Sequence, residues 1–176
     1  MVKEIGPVFV QLSRRQIQAG REKILHCLEQ LNDEELWWRT SDGANSVGNI
    51  ILHLGGNVRQ WIIHGLSGKS EPRDRPAEFS TEKIPRAELL DGFEKTLKEV
   101  DDNLATLLDQ IDEFGSEILL TKRRIQGFDE TILSAIYDCV THFRGHAQEI
   151  VYVTRQQRKG DYKFHWTPSS PEQGAP

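Results

Sequence analysis

The sequence predicts an all-α protein, a four-helix bundle with a long crossover connection. Three observations carry that expectation. The 176 residues suit one domain with a real core. Four long segments place apolar residues at the three- and four-residue spacing of one helical face. The links between them are long, and one of them is rich in Gly, Pro, Ser and charge. A less regular all-helical fold is the runner-up.

The first helix is expected over 7–31, with Pro7 at an opening position and Leu12, Ile17, Ile24, Leu28 and Leu31 on one face. Gly20 is a weak point in it. A second helix is expected over 47–66, with Ser46 as N-cap and Gly65 and Gly68 as stop signals. The third, over 86–111, is the cleanest amphipathic pattern, from Leu89 and Phe93 through Leu104 to Ile111, with an acidic solvated face. The fourth is expected over 129–156, with Asp129 as N-cap. Residues 67–85 read as the crossover, and 117–125 as a short extended piece. One domain over 1–160 is followed by a tail, 161–176, whose aromatics Tyr162, Phe164 and Trp166 dock on the body and whose end is disordered.

Composition narrows the function. A net charge of -5 and a pI near 5.7 argue against a protein that grips nucleic acid by neutralising phosphates. No apolar run approaches the length of a membrane span, and no signal peptide is read at the N-terminus. Two cysteines, Cys27 and Cys139, are too few for a disulfide scaffold, so a reducing cytoplasmic setting is expected.

The second helix is unusual. In SVGNIILHLGGNVRQWIIHGL, Asn49, His53, Asn57, Gln60 and His64 form a narrow polar stripe with apolar residues on both sides. Ile51, Leu54, Val58 and Ile62 make a further apolar face on the back, which a dimer interface would need. A helix apolar nearly all round is buried, and each unpaired amide or imidazole in its stripe would cost about 1–3 kcal/mol. A metal with its surrounding hydrogen bonds satisfies such a stripe, and so does a network between helices. Gly55 and Gly56, mid-helix, point to close approach of another backbone.

The fourth helix carries YDCVTHFRGHAQEIVYV, in which His142 and His146 stand one turn apart on one face. Two imidazoles at that spacing can share one metal ion. A third ligand from a facing helix leaves a coordination position open. His53 is the natural third ligand if the second and fourth helices run antiparallel. Cys139 shares the face of the pair, as a further ligand or as a buried small hydrophobe. His64 lies too far along the stripe for the same ion. His26 and His165 read as structural or exposed, Cys27 as core, and Trp37 and Trp38 as packing between helix ends.

With SVGNIILHLGGNVRQW on the second helix and THFRGHAQEI on the fourth, residues 5–156 resemble the DinB/YfiT-like superfamily of bacterial metalloproteins. The motifs are N-x3-H-L-x2-N-x2-Q-W and H-x3-H-x-x-[EQ]-I, fairly specific only together. The resemblance implies a DinB-like bundle with a divalent ion, nickel or zinc, on His53, His142 and His146. It also implies a homodimer and a small-molecule substrate. Members with assigned activities include thiol S-transferases using bacillithiol, mycothiol or glutathione, and a maleylpyruvate isomerase. The expected activity is therefore metal-dependent thiol transfer, with metal-dependent hydrolysis or a non-catalytic dimeric binding protein as alternatives. Around the ion, Asn49 and Asn57 lie one turn either side of His53. Glu149 lies three residues after His146 and is the candidate catalytic base or second acceptor, with Gln60 behind it.

Overall fold

The structure, a computed structural model, describes residues 2–69 and 71–164. Four long helical units form the bundle: α1 (Val2–Leu28), a composite second unit, α6 (Arg86–Phe114) and α7 (Ile132–Arg158). The second unit starts as α3 (Val47–Val58), widens into a π-helical stretch over Arg59–His64, and ends as α4 (Gly65–Ser67). A short α2 (Asp33–Leu36) lies before it, and α5 (Arg75–Ser80) lies in the crossover. α1 packs against α6 and α7, and α3 packs against the same two, so α1–α3 and α6–α7 are the diagonals.

Caps set the register of these helices. Ser46 accepts from the Asn49 N–H while Asn49 Oδ1 accepts from the Ser46 N–H, a capping box that fixes the start of α3 as expected. Gly68, at φ 71°, closes α4 in the left-handed conformation that glycine adopts freely. The end of α1 and the turn after it are met by a guanidinium from α6: Arg86 donates to Leu28 O and Leu31 O. α1 itself begins before Pro7, which lies inside the helix rather than at its opening.

The start of α7 departs from expectation. Thr131 is the N-cap, reciprocally bonded to Ser134, and Asp129 belongs to a strand. β1 (Lys122–Ile125) pairs antiparallel with β2 (Phe128–Thr131) in the register Lys122↔Thr131 to Ile125↔Phe128. Gln126 and Gly127, at φ 52° and 87°, make the two-residue turn that this hairpin needs. The extended piece expected over 117–125 is thus a 3-10 turn (Ser116–Leu120) followed by β1.

The core draws on all four units, with Ile24, Ile50, Leu104 and Phe143 among the fully buried side chains. Ile51, Leu54, Val58 and Ile62 are also fully buried. The back face of the second helix is therefore interior to the chain and offers no dimer surface. Across the α6–α7 diagonal, Phe93 and Phe143 stack with centroids 6.3 Å apart. Gly20 on α1 makes room for that pair: a Cβ there would stand 2.7 Å from Phe143 Cε1. Arg155, in the last turn of α7, lies over the rings of Tyr162 and Phe164 beyond the helix, 5.9 and 5.3 Å from their centroids. His26 Nε2–H donates to Lys163 O. The start of the tail docks as expected; His165, Trp166 and the end of the chain lie outside the described residues.

The Gly20 contact yields a measurable expectation. Helix propensity alone favours Gly20→Ala by about 1 kcal/mol. Pressing a methyl into an aromatic ring in a packed core costs about 1–3 kcal/mol. G20A is expected to be destabilised on balance, read as a lower denaturation midpoint in urea.

Candidate metal centre

His53 sits on α3 in the middle of the polar stripe and is buried. Burial demands partners for both ring nitrogens. Its Nδ1 lies 3.0 Å from Glu78 Oε2, supplied by α5 in the crossover. Arg73 Nη2 also lies 3.1 Å from this Nδ1, but its two hydrogens go to Glu78 Oε2 and the His53 carbonyl. A carboxylate accepts only, so Nδ1 carries the hydrogen and Nε2 is left with its lone pair. His142 and His146 project from α7 toward the same point. His142 Nε2 lies 2.9 Å from His53 Nε2. The ring centroids of His53, His142 and His146 are 5.0, 5.1 and 4.5 Å apart, pair by pair. His146 turns its Nδ1 to Glu149 Oε2 at 2.6 Å, which leaves its Nε2 for the centre.

The three histidines are therefore close enough to hold one metal ion, with one candidate ligand atom from each within 4.8 Å of the others. Tetrahedral bonds of about 2.0–2.1 Å would set such nitrogens about 3.3 Å apart, inside the observed spread. Two carboxylates fixing the Nδ1 atoms are the partners that metal-bound imidazoles normally keep. The donor set fits a divalent ion.

Glu78 is held as firmly as the histidine it orients. Arg73 Nε donates to Glu78 Oε1 at 2.6 Å and Nη2 to Oε2 at 2.8 Å. The same guanidinium donates from Nη1 to Gln60 Oε1 and from Nη2 to the His53 carbonyl. Burial pushes the Glu78 carboxyl up, but the bonds from His53 and Arg73 outweigh it and hold the group below the usual carboxylate range. Gly56 makes this possible, since a Cβ there would lie 2.0 Å from Glu78 Oε1 and 2.8 Å from Arg73 Nε. The close approach expected at the glycine pair is thus an ion pair of side chains on Gly56, and Gly55 has open space.

The rest of the stripe anchors the crossover. Asn49 Nδ2 donates to the carbonyls of Glu78 and Thr81, and its Oδ1 accepts from Arg39. Asn57 Oδ1 accepts from Cys139 Sγ at 3.5 Å. His64 lies farther on, with Glu71 Oε2 3.3 Å from its Nε2. Cys139 is buried, and burial pushes its thiol up to about 12, so it stays protonated beside the three imidazoles. Glu149 is held below the usual carboxylate range by its bond from His146. Among the described residues His142 has no carboxylate partner. Burial first, then the neighbouring charges of His146, His53, Arg73 and Arg75, push it down to about 4.

A cavity of about 620 Å³ opens beside the histidines, lined by His53, His142, Asn57, Trp61, Cys139, Arg73, Arg75, Gln126 and Asp138. Sequence reasoning finds the three histidines and Glu149 but misses Glu78 and Arg73, because an irregular segment carries no period to place its side chains. Asp74 before Arg75-Pro76, a capped helix start, is the one local signal of α5. Trp61, a flanking apolar residue on an α-helical wheel, instead lines the cavity. The wider π turn advances each residue by less than the usual angle, so such a wheel misplaces the residues after Val58.

Two expectations attach to this geometry. Glu78→Gln removes the negative charge and turns one of the two acceptor oxygens into a donor amide, so His53 Nδ1 and the buried Arg73 can no longer both be satisfied. Metal affinity is expected to fall about 10–100-fold, with about 3–5 kcal/mol of stability lost in urea titration. In metal-free protein the folded His142 binds fewer protons than an unfolded histidine between about pH 4 and 6.5. Stability therefore rises with pH across that window and is lost as pH falls through it. Melting temperatures measured at steps from pH 7 to 4 should fall, and fall less in His142→Asn.

Neither a curated protein nor a solved structure matches this chain. One family model does, over residues 4–170, and its description reads "Protein of unknown function (DUF1572)". Because that match runs nearly the whole length, the chain belongs to the DUF1572 family.

Proposed function

We propose that this chain is a DinB-like metalloenzyme that holds nickel or zinc on His53, His142 and His146 and transfers a low-molecular-weight thiol to an electrophile. The observation that carries the reading is the convergence of three imidazoles with Nδ1 of two of them fixed by carboxylates. When bound, a divalent ion on neutral imidazoles supplies positive charge that lowers the pKa of a thiol or water toward neutrality.

The chain's residues do the rest. Glu78 and Glu149 hold His53 and His146 with Nδ1 protonated and the Nε2 lone pairs inward. The cavity of about 620 Å³ admits a small thiol together with a small electrophile. Cys139, kept as a neutral thiol, is a poor nucleophile, so the reacting sulfur belongs to the substrate. Glu149, expected as the catalytic carboxylate, is read as a positioning residue, because its carboxylate is committed to His146 Nδ1. Hydrolysis needs the same three ligands and separates from thiol transfer only by assay.

A second reading, a non-catalytic dimeric helical protein, is favoured by one observation. The 2.9 Å bond between His53 and His142 satisfies both nitrogens without any ion. A second copy of the chain, in either reading, is proposed on the α1–α7 face, where Ile5, Val8, Leu12, Leu133 and Tyr137 are exposed. No helix among the described residues is long and apolar enough to cross a membrane. Two free, buried cysteines support a cytoplasmic setting.

The test is metal content per chain on untagged protein reloaded with nickel or zinc. About one ion per chain is expected in the parent by the three-ligand geometry, and close to none in His53→Ala or His146→Ala. Unchanged metal content in both variants would remove the site. A metal-free dimer whose melting point ignores both ions would move the reading to the non-catalytic one.

A further inference from the structure

The cavity beside the histidines is lined by three charged side chains, and their commitments differ. Arg73 commits both Nη2 hydrogens, its Nε hydrogen and one from Nη1 to Glu78, Gln60 and the His53 carbonyl. Arg75 makes no hydrogen bond or ion pair among the described residues. It is nonetheless placed: its guanidinium lies 5.2 Å from the centroid of the Phe79 ring. That ring in turn lies 4.8 Å from the His53 ring at an interplanar angle of 35°. A cation resting on an aromatic face keeps its in-plane N–H donors for another partner. Asp138, an exposed carboxylate one turn before His142 on α7, lines the same cavity.

We infer that the substrate of this centre carries, besides the group that reaches the three histidines, a separate anionic group that Arg75 receives. The class is a small thiol bearing a carboxylate, phosphate or sulfonate. This rests on the metal-centre reading above. A guanidinium offers paired donors matching the two oxygens of such a group, and charge-assisted bonds of this kind are roughly twice as strong as neutral ones. Aromatic stacking fixes the donor in advance, so less ordering is needed when the ligand arrives. Asp138 adds direction, since it repels an anion from its own wall and leaves Arg75 as the place where negative charge is accepted.

The experiment uses the full chain loaded with cobalt(II), whose absorption changes when a thiolate joins it. Two probes with the same thiol head are titrated: 3-mercaptopropionate, which carries a carboxylate, and uncharged 2-mercaptoethanol. The parent is expected to bind the carboxylate probe about tenfold or more tightly than the uncharged one. In Arg75→Gln that preference should disappear, while cobalt content and 2-mercaptoethanol affinity stay as in the parent. Arg75 is exposed and its substitution leaves the Asp74 cap of α5 in place, so the variant is expected to fold. Equal binding of both probes to the parent, or a preference that survives R75Q, overturns the inference and leaves the thiol reading standing. If neither probe alters the spectrum of fully loaded protein, the thiol reading falls and this inference falls with it.

Discussion

The Arg73–Glu78 ion pair is the interaction on which the rest of the centre depends. Its side chains are 9% and 11% exposed, so both charges have left water almost completely. A buried pair is retained without penalty only when its remaining donors and acceptors are satisfied. Here nearly all are: Arg73 also reaches Gln60 and the His53 carbonyl, and Glu78 also takes His53 Nδ1. The pair therefore ties three things together. It pins the crossover to α3, fixes the tautomer of a buried histidine, and sets the lone pair of that histidine toward α7. Gly56 is the sequence feature that permits it, because any side chain there would occupy the space of the carboxylate.

The centre that results is asymmetric. His53 and His146 each lean on a carboxylate, whereas His142 has none among the described residues. The unsupported imidazole is also one that lines the cavity, and burial and neighbouring charge push its pKa down. Two of the three histidines are thus braced by carboxylates, and the third stands without one among the described residues. The same cavity is lined by the protonated Cys139 and the uncommitted Arg75, so chemistry and recognition share one opening.

Much of this is legible in the residues. The periodicity of α1, α6 and α7 reports burial on one face, and burial on one face is what packs a bundle. Ser46 and Gly68 mark the ends of the second unit because caps are local chemistry. His142 and His146 are neighbours by helical spacing alone, and His53 stands out as an imidazole inside an otherwise apolar helix. The carboxylate three residues after His146 is visible for the same reason. Glu78 and Arg73 are not. They lie 25 and 20 residues from His53 in a segment without a period, where nothing local says which way a side chain turns. The start of α7 falls later than its local signals suggest because the turn at Gln126-Gly127 draws Asp129 into a strand pair, and pairing is decided by a partner outside the segment.

The sequence by itself determined the elements: four helical units, the Ser46 and Gly68 caps of the second, the polar stripe on α3 and the histidine pair on α7. These depend on interactions between residues a few positions apart, which any window of the chain contains. Only the tertiary structure decided what the stripe faces and how the histidines are held. That required the crossover to fold back over α3 and bury a charged pair on Gly56, through contacts 13 to 32 residues apart in the chain. Contacts at that range depend on how whole elements pack, and no repeat or local propensity encodes them.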